Sequence, residues 1–301
     1  MTMFKPSLLA VVSTLALSGC GTLAPTYERP AAPVSATWTT DTATASTTEL
    51  GWRDFFTDAQ LQQLIEQALA NNRDLRVAAL NVEKAQAQYR VQRADLFPSV
   101  NAGVGQTAQR LPADVAGAAQ PVISRQYTAT LGVSSYELDL FGRIRSLKDA
   151  ALSTYLGTEE ARRSTQISLI AQVAEAYATL AADRERLALA QETMHSQLET
   201  LRLTERRHAL GVSSALDLHQ VQSTVESARA DVATYTSQVA QDVNSLTLLV
   251  GASTPPPAQS ANLSSQAVTA DIGAGLSSDL LTHRPDIRAA EQRLRSAQAN
   301  I

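Results

Sequence analysis

Residue types able to do covalent or metal chemistry are sparse in this chain and badly spaced for it. His195, His208, His219 and His283 have no two- or three-residue spacing to one another, and Cys20 is the only cysteine, so a zinc site has no ligand set to build on. Gly103-Val104-Gly105-Gln106-Thr107-Ala108 imitates a dinucleotide fingerprint. It sits in a strand-like pattern that no helix follows, which removes the helix terminus such a fingerprint needs. Neither a Gly-Xaa-Ser-Xaa-Gly elbow nor a phosphate loop occurs. These residues predict no enzyme, no metal and no cofactor.

Cys20 matters through its position. Lys5, an apolar core from Leu8 to Leu17 and then Leu17-Ser18-Gly19-Cys20 read as a secretory signal peptide over residues 1–19 followed by a bacterial lipobox. In that reading the thiol is lipidated and Cys20 becomes the mature N-terminus; the other reading is a free thiol in an exported protein. Gly21 follows, rather than the Asp that resembles an inner-membrane retention signal, so the outer membrane is the expected address. Several acyl chains at ~0.8 kcal/mol per buried methylene would hold the chain to outer-membrane lipid. Residues 20–50 are rich in Pro, Thr, Ala and Ser, with little to bury, and predict a lipidated extended tether.

The elements that would position any further site are mostly helical. Of the 301 residues, 44% are hydrophobic but only 5% aromatic, an Ala, Leu and Val-rich helical composition. A formal net charge of -4 shows no basic stripe for nucleic acid. No apolar run reaches the ~20 residues of a bilayer-spanning helix, so a membrane crossing would have to use strands.

Thr57-Asp58-Ala59-Gln60 fits a capping box with Thr57 as N-cap, opening a short helix to about Ala70. Asn72 then caps a helix that Phe97-Pro98 stops. Val100, Ala102 and Val104, and later Tyr127, Ala129, Leu131 and Val133, alternate with polar residues or Gly, which predicts a β-hairpin at about 97–140 with Arg110 to Ser124 as its long loop. Its apolar face has no complementary sheet in the sequence and is expected to meet lipid. A helix of about 143–210 would be roughly 100 Å long. Gly211 and Ser214 then supply a stop and a fresh start for a helix over 214–250, whose Leu218, Val221, Val225, Ala228, Val232, Tyr235, Val239, Leu246 and Leu249 form a coiled-coil seam broken once, at Asp242. The long helix carries two apolar stripes, one on Leu169, Val173, Ala176 and Leu180 and one on Ile170, Ala174, Tyr177 and Ala181, as a helix with neighbours on both flanks requires.

The chain also repeats itself. Leu69 to Tyr89 reappears without a gap as Leu281 to Ile301, sharing Asp74/Asp286, Arg76/Arg288, Ala85/Ala297 and Gln86/Gln298. This gives a first repeat over 51–250, a linker over 251–276 and the start of a truncated second repeat over 277–301, a C-terminally incomplete duplication whose remainder is expected to supply another hairpin and helix pair. Pro285, in place of Arg73, suits a first helical position.

Taken in order, Trp52-Arg53-Asp54-Phe55-Phe56, Ala94-Asp95-Leu96-Phe97-Pro98, Tyr136-Glu137-Leu138-Asp139-Leu140-Phe141-Gly142-Arg143 and Arg284-Pro285-Asp286-Ile287 resemble the TolC-like outer membrane efflux factors. More narrowly the chain resembles their lipoprotein branch serving resistance-nodulation-division pumps (NodT/OprM-like), where a Pro-Xaa-Tyr-Xaa-Arg-Pro stretch, here Pro25 to Pro30, also occurs. The resemblance implies a mainly α fold, with long coiled-coil helices of a periplasmic α-barrel and strands of an outer-membrane β-barrel closed by a homotrimer. It also implies a periplasmic adaptor protein and an inner-membrane pump as partners.

Within that resemblance Gly211, Val212, Ser213, Ser214 and Ala215 match the periplasmic tip that meets the adaptor, while the residues alone equally allow Ser213 and Ser214 simply to cap a helix. Asp217 lies where the family holds a gate carboxylate, or else only favours the helix dipole. Arg202, Arg206 and Arg207 read as a solvated face or as adaptor contacts. The function expected is a passive exit channel for small molecules in a tripartite multidrug efflux system. The alternatives are an exit duct for type I protein secretion and a lipid-anchored coiled-coil tether without a channel.

Overall fold

The computed structural model describes residues 25–31, 51–117, 119–252, 278 and 280–300. The expected signal peptide, Cys20, most of the tether and most of the linker lie outside the described residues. The elements are α1 (Trp52–Phe55), α2 (Ala59–Asn71), α3 (Arg73–Ala94), β1 (Ser99–Leu111), α4 (Ala113–Ala116), β2 (Val122–Ser135), α5 (Arg143–Ala209), α6 (Ala215–Val250), α7 (Leu280–His283) and α8 (Pro285–Ala299). They divide into two compact units, and α3, α5 and α8 each contribute to both.

One unit contains the hairpin, with residues 82–158, the Pro25 to Pro30 stretch and the end of α8. β1 and β2 pair antiparallel, with Val100 opposite Val133, Ala102 opposite Leu131, Val104 opposite Ala129 and Gln106 opposite Tyr127. The strands reach Leu111 and begin again at Val122, so the connection is shorter than the expected loop from Arg110 to Ser124. Ladder hydrogen bonds continue past the point where strict alternation fades, and Pro112 and Pro121 mark where they stop. After the hairpin, Asp139 accepts from the Arg145 backbone N–H at 3.0 Å and so caps α5, while Glu137 pairs with Arg143.

The other unit holds the main apolar core. Leu61, Leu64, Ile65 and Ala68 of α2 pack with Leu169, Val173, Tyr177 and Leu180 of α5 and with Leu246 and Val250 of α6. Members of both stripes on α5 are buried or half-buried, because α2 and α6 both lean on it. Along α6, each of the nine apolar seam residues is buried or half-buried.

Helix ends in this unit are pinned by side chains. Asp58, not Thr57, caps α2: its Oδ1 accepts from Gln60 N at 2.8 Å and from Leu61 N at 3.4 Å. The reading of Thr57 as the cap is corrected by a distant partner: the hydroxyl of buried Tyr177 donates to Asp58 Oδ2 at 2.9 Å and holds that carboxylate at the helix start. Asn72 caps α3 by accepting from Leu75 N at 2.9 Å, and its amide donates to the Leu249 carbonyl at 2.8 Å. Gly251 ends α6 at φ 74°, where a Cβ would stand 2.5 Å from the Asn71 carbonyl oxygen. Only glycine fits there.

Candidate functional site

Two places gather the residues that the sequence singles out, and each is built from local rules. The first is the turn between α5 and α6. Gly211 N donates to His208 O at 2.9 Å and Val212 N to Arg207 O at 2.9 Å, the paired bonds of a Schellman ending, with Gly211 at φ 73°. Ser214 then caps α6: its Oγ accepts from Asp217 N at 3.1 Å while Asp217 Oδ2 accepts from Ser214 N at 3.0 Å, a reciprocal capping box. Ser213 Oγ donates to the same oxygen at 3.2 Å. His208 Nδ1 lies 2.9 Å from Ser213 O; since a carbonyl only accepts, Nδ1 carries the proton there.

These bonds fix the backbone so that the tip shows its apolar residues outward. Leu210, Val212 and Leu216 are exposed, and Gly211 and Ala215 lie beside them. Space around Gly211 is open. Asp217 is exposed, and hydrogen bonding with the Ser214 side chain, then with the Ser214 N–H and the Ser213 hydroxyl, holds its carboxyl below the usual carboxylate range. Its Oδ2 is thus engaged within its own hairpin. Arg206 and Arg207 stand in the last turn of α5, where positive charge favours the helix dipole.

The second place is the β-hairpin. Residues directly opposite in an antiparallel ladder share a face, so the register collects Val100, Ala102, Val104, Ala129, Leu131 and Val133 on one side. Val104 is 91% exposed and Leu131 80%. The opposite side collects Asn101, Gly103, Gly105, Thr128, Thr130 and Gly132. Gly103 and Gly105 are fitted to their neighbours: a Cβ on either would approach a threonine Oγ1 across the ladder to 3.1 Å. At the rim of the apolar side Gln106 Nε2 donates to the Tyr127 hydroxyl at 3.1 Å. The sheet has two strands, so both edges carry unpaired backbone groups among the described residues.

Comparison with known proteins settles the family. The sequence model described as outer membrane efflux protein matches residues 64–252. The chain belongs to the outer membrane efflux protein family. It is similar to the toluene efflux pump outer membrane protein TtgC of Pseudomonas putida, 50% identical over 307 residues that cover 99% of this chain and 63% of that protein. It is also similar to the outer membrane protein OprJ of Pseudomonas aeruginosa, 41% identical over 296 residues, covering 97% of this chain and 62% of the relative. Among solved structures it resembles the open state of the Neisseria gonorrhoeae MtrE outer membrane channel, with a TM-score of 0.76, 36% identity, and coverage of 93% of this chain and 62% of that one. The chain therefore spans just under two thirds of the length of the relatives it matches.

The fold is that of the TolC-like channels, mainly helical with a strand hairpin, as the sequence predicts. The sequence reading gave no polar partner to Asp58, Tyr177, Asp139 or Asp183. Asp58 and Asp139 carry a readable signal, an acidic residue within a few positions of a helix start, whereas Tyr177 and Asp183 are defined by partners or burial that no local pattern gives.

Proposed function

We propose that this family member acts as the outer-membrane exit channel of a tripartite efflux system, giving small molecules passive passage from periplasm to exterior. The hairpin register carries the reading. Strands of 13 and 14 residues exceed the roughly 9–11 that a tilted strand needs to cross a bilayer. One face is apolar and uncovered, while the other is Gly, Thr and Asn, small and polar as a water-filled lumen wants. Open edges are prohibitively costly in lipid, so the strands must be closed by others. A homotrimer, in which copies of the protein complete one barrel, meets that demand.

In this assembly α5 and α6 belong to a periplasmic helical barrel, and the tip at Gly211, Val212, Ser213, Ser214 and Ala215 meets a periplasmic adaptor that joins the channel to an inner-membrane pump. The exposed apolar residues of the tip support such a contact. Asp217 serves as a gate only by exchanging bonds within its own turn for bonds to a neighbour, because its Oδ2 is already engaged. Lipid on Cys20 anchors the protein to the outer membrane. The name of the similar toluene pump component supports apolar small molecules as cargo.

Single cysteines placed from residue 127 to 133 and challenged in outer-membrane vesicles with a membrane-impermeant maleimide test the barrel. Positions 129, 131 and 133 are expected to be protected and 128, 130 and 132 to react. Uniform reactivity would reject the barrel and the channel with it.

A further inference from the structure

The α6 seam has an Asp at position 242, where its three-and-four spacing calls for an apolar residue. Asp183 of α5 is only 4% exposed, one of two buried polar residues among those described. Asp242 Oδ1 accepts from Gln238 at 3.2 Å. Its Oδ2 is buried and has no hydrogen-bond partner as a carboxylate. The Asp183 carboxyl lies within hydrogen-bonding reach of the Asp242 carboxyl. Two ionised carboxylates this close, with one orphaned buried oxygen, are an unstable arrangement; a single proton between them turns repulsion into a hydrogen bond and satisfies the orphan.

We propose that Asp183 and Asp242 share one proton and form an acid–carboxylate clasp between α5 and α6, which tightens the helix pair in mild acid and loosens it as the proton leaves. Arg186 pairs with the Asp183 side of the clasp. Glu175 of α5 lines the groove that Asp242 opens onto, with Gln172, Thr179 and Ser245. Asp58, before α2, is engaged by Tyr177, with Arg184 nearby on α5. Burial pushes the Asp242 carboxyl up and Asp183 pushes it further, against the Gln238 hydrogen bond.

The sign follows from that direction. A carboxyl whose folded-state value is raised contributes stability that is full below the unfolded value of about 4 and is lost as pH rises through the folded one. Infrared spectroscopy of the full chain at about pH 6, where ordinary Asp and Glu have ionised, is expected to show a protonated-carboxyl band in the wild type. Asp242→Asn and, separately, Asp183→Asn are expected to abolish that band and to flatten the fall in unfolding midpoint above about pH 4. Absence of the band in the wild type, a reading that needs no variant to fold, would overturn the proposal. So would a chelator-sensitive midpoint, which would mean that a cation sits there instead of a proton.

Discussion

Arg29 holds Glu291 across 262 positions of chain, with Nη2 donating to Oε2 at 2.6 Å and Nε to Oε1 at 3.2 Å. The same glutamate accepts from Arg295 at 2.8 Å, and the Arg295 guanidinium lies 4.6 Å over the Tyr27 ring. Tyr27 and Arg29 of the Pro25 to Pro30 stretch thus strap it to α8. Arg29 holds the Glu291 carboxyl below its usual range. A lowered folded-state value means that the strap's contribution is present above the ordinary glutamate value and is lost as pH falls through the folded one. Glu291→Gln is expected to speed proteolytic cutting and amide exchange at residues 25–31 at neutral pH, and high salt to speed both in the wild type.

Gly251 and Gly211 offer a controlled pair. Both have positive φ, near 74° and 73°, but only Gly251 abuts a backbone. Gly211→Ala is expected to cost about 1–2 kcal/mol, the left-handed penalty alone. Gly251→Ala must in addition displace the Asn71 carbonyl and is expected to cost clearly more. Urea denaturation of the two variants compares them directly.

Ser214→Ala removes the acceptor that caps α6 and is expected to destabilise by about 1 kcal/mol. Because Asp217 is held in its ionised form by the same box, the tip's contribution also declines in acid, below the ordinary aspartate value. Amide exchange at residues 214–218, followed against pH, reads both effects. A tip that exchanges no faster in Ser214→Ala would remove the cap from the account.

Tyr177→Phe keeps the ring in the core but takes the hydroxyl from Asp58. A loss of about 1 kcal/mol is expected, against roughly 3–5 kcal/mol for Tyr177→Ala, which also leaves a cavity. Chemical denaturation followed by circular dichroism distinguishes the two. Equal losses would show that the hydrogen bond, not the packing, holds this position.

What the sequence alone determined is everything ruled by neighbours within a turn or a pleat. Gly211 stops its helix where the spacing put it, Ser214 and Asn72 start theirs, and the alternation from Tyr127 to Val133 built a strand whose apolar side matches that of Val100 to Val104. Capping and periodicity are decided by residues three or four apart on a helix, or two apart on a strand, and the chain displays those directly. The local pattern pointed to Thr57 as the cap of α2, whereas Asp58 caps it, held by a tyrosine 119 positions away. The strap from Arg29 to Glu291, the reach of Asn72 to Leu249 and the meeting of Asp183 with Asp242 likewise belong to the tertiary structure. Each depends on which faces pack and at what offset, and a break in a seam marks where such a partner is needed without saying which residue it is.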